Sequence, residues 1–205
     1  MNTQTGEVVS LPVHRTRERT RILAISGSLR VESYNRKLLE AARELAPQDV
    51  EVELWDGLKR VPPFDEDDEN DPGAAVLELR AAVAQADAVL IATPEYNSSL
   101  PGQLKNALDW ASRPRRTAVL RGKPVAVLGA GPRPSAAERG VAEARVVLGA
   151  IGARVLEDEL AVARASEQFD DDGRLAALAH RRDLKRLLER LVAAAADARR
   201  ELAAA

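Results

Sequence analysis

The sequence contains no cysteine, and aromatic residues make up only 3% of its 205 residues. The absence of cysteine excludes disulfides, thiolate catalysis, iron–sulfur clusters and zinc sites built from thiolates. So few aromatic rings cannot form a stacking surface for single-stranded nucleic acid. The formal net charge of −2 provides no basic field for nucleic acid or anionic lipid. No apolar run approaches the roughly 20 residues that a membrane-spanning helix needs.

Histidine is scarce as well, occurring only at His14 and His180. Neither has a triad or ligand partner nearby in sequence, so we expect both to be ordinary surface residues. The acidic run Asp65–Asp71 is dense in oxygen atoms but lacks the ligand spacing of a calcium loop, which favours a solvated loop over a metal site. We therefore predict no metal site and no catalytic side chain. Any redox chemistry would come from a bound organic cofactor.

The two ends of the chain differ from its middle. Residues 1–20 alternate basic and acidic side chains without the apolar segment of a secretory signal, which predicts a disordered arm. Residues 21–197 have the composition of one globular domain, and the alanine-rich residues 198–205 are interpreted as a low-complexity tail. A cytoplasmic location is the default expectation, with neither nucleic acid nor membrane as a partner.

Strand-like and helix-like patterns alternate along the domain. Short apolar or alternating runs predict five strands, at residues 22–25, 50–54, 88–93, 124–128 and 153–156. Amphipathic helical spacing lies between and after them. The capping-box spacing from Ser135 to Glu138 predicts that the fourth helix opens there and reaches about Leu148. Alternation of this kind predicts an α/β fold, a flavodoxin-like, doubly wound, five-stranded parallel sheet of order 2-1-3-4-5 with helices on both faces.

The segment Gly27–Asn35 lies between the first predicted strand and the first helix. Backbone N–H groups and the dipole at a helix start favour an anion. Ser28, Ser33 and Asn35 add neutral donors and Arg30 adds a charged one, so the composition suits a phosphate group. The segment matches neither a GxGxxG nor a Walker A pattern. A simple capped helix with Ser33 as its N-cap stays open as an alternative.

The segment Thr93–Trp110 follows the third predicted strand. Its proline and asparagine predict a rigid, extended turn with exposed backbone donors and acceptors, which would suit a planar heterocycle. Packing in the core or at an interface is an open alternative for Trp110 and for Tyr96. Three polar residues of the same segment also fit an ordinary solvated helix face: Lys105, Asn106 and Asp109.

Together the two segments resemble the NADPH-dependent FMN reductase family, which includes quinone, azo and chromate reductases. That family carries a GSLRxxSxN loop and a PEYNxSxPGxLKNAxDW segment, and both are present here, in order, at Gly27–Asn35 and Pro94–Trp110. Val61–Asp67 is similar to the family's Pro-rich loop after the second strand. The resemblance covers the chain from about Arg21 to Leu160.

The resemblance implies FMN as the cofactor and NADPH or NADH as co-substrate. A hydride would pass from NAD(P)H to FMN, and the electrons would then pass to a quinone, flavin, azo compound or metal oxyanion. The resemblance implies a phosphate loop formed by Ser28, Leu29, Arg30, Ser33, Tyr34 and Asn35. It implies a flavin-ring wall formed by Pro94, Glu95, Tyr96 and Asn97, and a third wall at Gly129, Ala130 and Gly131.

The third wall is where the sequence departs from its relatives. The family has a glycine pair followed by an arginine-containing stretch there, whereas Gly129–Ser135 carries prolines in unusual places. The resemblance also implies a homodimer or homotetramer with the site near the subunit interface. Trp110, its helix and the loop at Phe64 are the predicted contacts.

Two alternative functions stay open at this point. One is a flavodoxin-type electron carrier, or a flavin-binding regulatory module without turnover. Arg30 and the near-neutral charge of the chain argue against a carrier, because carriers of that type have more acidic surfaces. The other alternative is an α/β scaffold that has lost flavin binding, which the two intact motifs disfavour.

Overall fold

A computed structural model describes residues 19–135 and 137–204 of the chain. Its five strands are β1 (Thr20–Ser26), β2 (Val50–Trp55), β3 (Ala88–Ala92), β4 (Pro124–Ala130) and β5 (Arg154–Val162). Its five α-helices are α1 (Tyr34–Leu45), α2 (Ala74–Gln85), α3 (Gly102–Ala111), α4 (Glu138–Ile151) and α5 (Leu178–Ala204). The predicted N-terminal arm falls almost entirely outside the described residues.

The strands form one parallel sheet in the order β2-β1-β3-β4-β5. Successive residues of a strand point to opposite faces, and both faces of the central strands are buried. In β1, Ile22 and Ala24 pack with α1 and α5, whereas Leu23 and Ile25 pack with α2, α3 and α4. The predicted strand order, the parallel sheet and the helices on both faces are confirmed.

The elements at the β5 edge are longer than the sequence predicts. β5 continues from Arg154 to Val162 although its last residues include charged ones, because an edge strand leaves alternate side chains in solvent. α5 continues through Ala204, and Ala198 is buried against the domain. Residues 198–204, predicted as a low-complexity tail, form the last turns of α5. No helix in the described part of the chain is long and apolar enough to cross a membrane.

The start of α4 also differs from the prediction. Ala137 occupies the N-cap position, and no side chain caps the helix. The Glu138 N–H donates to the backbone carbonyl of Ser135 at 3.2 Å, so a turn precedes the helix and the predicted capping box does not form. α4 continues beyond Leu148 to Ile151, where Gly152 adopts a left-handed conformation and ends it.

Candidate functional site

A cleft of about 630 Å³ opens beyond the carboxyl ends of β1, β3 and β4. The chain leaves β1 toward β2 on one side and returns to β3 on the other, so the strand order reverses at β1 and β3. Crevices at such a reversal are the usual ligand sites of open parallel sheets. The cleft is lined by Ser28, Arg30, Ser33, Tyr34, Asn35, Pro94, Glu95, Tyr96, Asn97, Ser98, Ala130, Gly131, Pro132, Arg133 and Ser135.

The first wall of the cleft is the loop between β1 and α1. Ser33 is the N-cap of α1, and its Oγ accepts a hydrogen bond from the Arg36 N–H at 3.4 Å. The hydroxyl of Ser28 accepts from the Arg30 N–H at 3.4 Å, which holds the loop in a turn. The first N–H groups of α1 have no partner within the helix. Ser33 therefore both caps the helix, as the simpler alternative holds, and lines the cleft.

Asn35 joins this wall to the third wall through its side chain. Its Nδ2 donates to the Ala130 carbonyl at 3.0 Å, and its Oδ1 accepts from the Ala130 N–H at 2.9 Å. Asn35 is only 3% exposed. Because the amide carbonyl and one N–H are occupied by Ala130, Asn35 fixes the relative position of α1 and β4. That role differs from the direct phosphate contact that the resemblance implies.

The second wall is a tight hairpin after β3. Tyr96 and Ser99 exchange two backbone hydrogen bonds of 2.9 and 3.1 Å, and the two residues between them have left-handed φ angles of 53° at Asn97 and 66° at Ser98. A two-residue hairpin needs this backbone twist. Arg139 at the start of α4 supports the hairpin through a 2.8 Å bond from its guanidinium to the Ser98 hydroxyl.

Two glycines allow α4 and β4 to pack directly on the backbone of the second wall. A Cβ at Gly140 would lie 2.6 Å from the Pro94 carbonyl oxygen, and a Cβ at Gly129 would lie 2.7 Å from the Thr93 carbonyl oxygen. Real side chains do not approach so closely, so both positions require glycine at the present spacing. Gly129 therefore has a packing role beneath the cleft.

The third wall continues from Ala130 through Gly131 and the two prolines Pro132 and Pro134. The Gly131 N–H donates to the Val162 carbonyl at 3.0 Å, and the Gly131 carbonyl accepts from the Ala165 N–H at 3.0 Å. Further on, the Arg133 carbonyl accepts from the Arg164 N–H at 3.3 Å. The segment after β5 thus holds this loop by its backbone, and the Arg133 side chain is left on the cleft side.

All but two of the residues that the resemblance assigns to the site line the cleft. The exceptions are Leu29, whose side chain is 47% exposed, and Gly129, which packs beneath the cleft. Four lining residues were missed: Ser98, Pro132, Arg133 and Ser135. Pro132, Arg133 and Ser135 lie in the loop Gly129–Ser135, whose unusual sequence was visible in advance. Sequence spacing alone does not show which residues of a loop line a cleft.

Trp110 is part of the hydrophobic core. Its side chain is fully buried, its indole Nε1 donates to the Pro62 carbonyl at 2.9 Å, and its ring meets Phe64 edge-on at 4.9 Å. Asn106 holds the same loop, accepting from the Phe64 N–H at 2.7 Å. Arg80 donates to the Trp110 carbonyl, and burial lowers the pKa of this guanidinium. The indole of Trp110 is enclosed by its own chain and cannot contact a second subunit, whereas a contact through its helix and the loop at Phe64 stays a prediction.

The charges of the cleft are predominantly positive. Arg30 and Arg133 line it, and neither forms an ion pair within the described part of the chain. The one lining carboxylate, Glu95, accepts a hydrogen bond from the Arg139 N–H at 3.1 Å. No group of three or more His, Cys, Asp or Glu side chains among the described residues is placed to hold a metal ion. The arrangement suits an organic anion with a flat ring system.

A family comparison agrees with this geometry. Residues 20–167 match the family model described as NADPH-dependent FMN reductase. The match starts at β1 and ends after β5, so it includes all three walls of the cleft.

Individual relatives agree with the family comparison. An NAD(P)H-dependent FMN reductase of Pseudomonas aeruginosa is 42% identical over 76% of this chain and 84% of its own length. A 2-hydroxy-1,4-benzoquinone reductase of a Burkholderia species is 43% identical over 53% of this chain, a match that spans only 59% of the relative's length. The solved structure of FerB, a flavoenzyme NAD(P)H:acceptor oxidoreductase of Paracoccus denitrificans, superposes with a TM-score of 0.79 at 31% identity, covering 87% of this chain and 98% of FerB. The chain belongs to the NADPH-dependent FMN reductase family.

Proposed function

We propose that this chain binds FMN in the cleft, takes reducing equivalents from NADPH or NADH, and delivers them to a small-molecule acceptor. The observation that carries the proposal is that two different walls, the loop between β1 and α1 and the hairpin after β3, line one cleft where the strand order reverses. One wall is a helix start beside an unpaired arginine, which suits a phosphate. The other is a rigid hairpin with exposed backbone groups, which suits the edge of a flavin ring. Asn35 ties the first of these walls to the end of β4 through Ala130.

The phosphate end of FMN fits the loop between β1 and α1. The Ser28 hydroxyl, the Arg30 guanidinium and the first N–H groups of α1 would hold it. Ser33 contributes by capping α1, which holds the first turn of the helix in place beside the cleft. The backbone at Leu29 belongs to the same loop, although its side chain points to solvent.

The ring end of FMN fits the hairpin after β3. Pro94 and Glu95 are held by α4, through the close approach of Gly140 and the hydrogen bond from the Arg139 N–H to the Glu95 carboxylate. Tyr96 and Asn97 complete the wall on the solvent side. Bound FMN would supply the hydride acceptance and electron release, while the protein supplies position and one open face. No protein acid or base is required.

The acceptor we propose is a quinone, with free flavin, an azo compound or a metal oxyanion as further candidates. Quinones are favoured because relatives of Burkholderia and of Pseudomonas putida are named quinone reductases. The latter is 42% identical over 60% of its length. An open ring face accepts planar compounds of similar size, which is why quinones, free flavin and azo compounds all suit one cleft.

We also propose a homodimer or homotetramer that works in the cytoplasm, where reduced pyridine nucleotides are available. Apolar side chains stand in solvent around the mouth of the cleft: Leu29 is 47% exposed, Val31 87% and Tyr96 47%. Such a group of exposed apolar side chains suits burial by a second subunit. Light scattering on the purified protein measures the subunit number directly.

The deciding experiment loads the purified protein with FMN and then adds NADPH or NADH without oxygen. We expect quenching of FMN fluorescence on binding, loss of the flavin's visible absorbance on reduction, and its return when a quinone is added. Arg30→Ala should weaken FMN binding by about 1.5–3 kcal/mol, since hydrogen bonds to charged groups have this magnitude. Arg43→Ala, at the far end of α1, is the charge-matched control.

Two results would contradict the proposal. A protein that neither quenches FMN fluorescence nor retains the flavin on gel filtration does not use this cofactor. A protein that binds FMN but leaves it oxidised in both NADPH and NADH would instead be an electron carrier or a flavin-binding regulatory module.

A further inference from the structure

We infer that Arg133 binds a phosphate group of the pyridine nucleotide, apart from the FMN phosphate. The inference rests on the proposed function and assigns a specific side chain of the third wall to the co-substrate. Arg133 lies in Gly129–Ser135, the loop in which this sequence departs from the family pattern.

The backbone at Arg133 is rigid. Pro132 and Pro134 fix their own φ angles, and a residue that precedes proline is restricted to extended conformations. The Arg133 carbonyl is also bonded to the Arg164 N–H at 3.3 Å, two residues after the bonds that tie Gly131 to the segment following β5. The backbone that carries the Arg133 guanidinium is therefore already ordered. Less conformational entropy is lost when this side chain binds a ligand.

The side chain at this position carries a charge that the protein itself does not neutralise. Arg133 is exposed, lines the cleft, and forms no ion pair within residues 19–135 and 137–204. The Glu95 carboxylate, which also lines the cleft, accepts from the Arg139 N–H. A planar guanidinium with paired N–H donors matches the oxygens of a phosphate.

The cleft is lined by two arginines, Arg30 and Arg133, and each can bind one anionic group. FMN has a single phosphate, and the start of α1 with Arg30 already satisfies it. Arg133 lies on a different loop of the cleft, between β4 and α4. A pyridine nucleotide must bring its nicotinamide to the flavin ring. Its diphosphate, or the additional 2′-phosphate of NADPH, is therefore the second anion that this cleft has to accept.

The test compares the wild type, Arg133→Gln, Arg133→Lys and the control Arg43→Gln, all loaded with FMN. Dissociation constants for the oxidised nucleotides NADP⁺ and NAD⁺ are read from the change in flavin absorbance, so no turnover is involved. The dissociation constant for FMN is measured on the apoproteins by fluorescence quenching. We expect Arg133→Gln to weaken NADP⁺ binding about tenfold or more, with lysine restoring part of it and FMN binding within about twofold of wild type.

The two nucleotides identify the phosphate concerned. An equal loss for NADP⁺ and NAD⁺ supports contact with the diphosphate, and a loss for NADP⁺ alone supports contact with the 2′-phosphate. Nucleotide binding within about twofold of wild type overturns the inference. So does a tenfold loss of FMN affinity with nucleotide binding unchanged, because Arg133 would then belong to the FMN phosphate site. If the wild type itself binds no FMN, the proposed function fails and this inference fails with it.

Discussion

The side-chain amide of Asn35 forms two hydrogen bonds with the backbone of Ala130, 95 residues further along the chain. The contact joins the first turn of α1 to the last residue of β4, and so it joins two walls of the cleft. Because Asn35 is buried, water cannot replace these bonds. The Asn35 side chain thus helps to fix the spacing between the first and third walls.

Replacing Asn35 by alanine should lower the free energy of unfolding by about 1–3 kcal/mol, because the Ala130 N–H and carbonyl would be left buried without partners. Urea denaturation followed by circular dichroism measures the change. Asn70→Ala, in an exposed loop, is the control and should change stability by less than about 0.5 kcal/mol. Equal stability of Asn35→Ala and wild type would mean that the amide does not join the two walls.

Gly140→Ala and Gly149→Ala should have effects of opposite sign, although both lie in α4. A Cβ at Gly140 would be 2.6 Å from the Pro94 carbonyl oxygen, so α4 has to shift and stability should fall by about 1–3 kcal/mol. A Cβ at Gly149 meets nothing within 4 Å. Alanine there should raise stability by about 0.5–1 kcal/mol through its helix propensity. Thermal unfolding of the two variants checks both signs, and two changes of the same sign would contradict the packing described here.

Ser98→Gly should be more stable than Ser98→Ala by about 1 kcal/mol. Both variants lose the hydrogen bond from Arg139 to the serine hydroxyl, but only glycine adopts the left-handed φ of 66° without a steric penalty. Glycine directly after Asn97 is also the preferred sequence for a two-residue hairpin turn. Denaturant midpoints for the two variants give the difference. A more stable alanine variant would show that position 98 is not left-handed in solution.

Asp158 should titrate below the usual range of an aspartate. The Arg190 guanidinium of α5 donates to its carboxylate at 2.6 Å, and this hydrogen bond lowers the pKa of Asp158. Since the pKa is lower in the folded than in the unfolded state, the pair stabilises the protein above the unfolded pKa. That contribution is lost as the pH falls through the folded pKa.

Carbon-13 NMR titration of Arg190→Gln tests this assignment. The pKa of Asp158 should rise toward its ordinary value in the variant. Glu201, whose pKa is lowered by Arg154 in a separate pair, is the internal control and should not move. An Asp158 pKa that is the same in the variant and in the wild type would show that the pair does not form in solution.

The fold and two walls of the cleft could be predicted from the sequence because their signals are local. Buried parallel strands appear as short apolar runs, and the loops that follow them appear as Gly27–Asn35 and Pro94–Trp110. Chain topology then brings these loops together at one edge of the sheet. The family resemblance added the identity of the proposed cofactor.

The start of α4, the length of β5 and the end of α5 could not be predicted, because they depend on tertiary contacts that the spacing of residues in the sequence does not show. Ser135 has the pattern of a capping box, but its backbone carbonyl accepts from the Glu138 N–H in a turn, and the helix begins only at Glu138. The charged residues Glu157, Asp158 and Glu159 lie within β5, and the strand continues after them because residues 159–162 pair with β4. The alanine-rich end of the chain is helical because alanine is the best helix former and α5 packs on the domain through Ala195 and Ala198.

The course of α5 determines where this protein can be attached to a solid support. Arg199 donates to the Thr20 hydroxyl at the start of β1, and Arg154 at the start of β5 pairs with Glu201. The last turn of α5 therefore lies at the amino ends of the strands, on the opposite edge of the sheet from the cleft. Leu202 in that turn is 80% exposed, and the chain has no native thiol. The substitution Leu202→Cys would thus give a unique anchor for an electrode or a bead, with the cleft facing away from the surface.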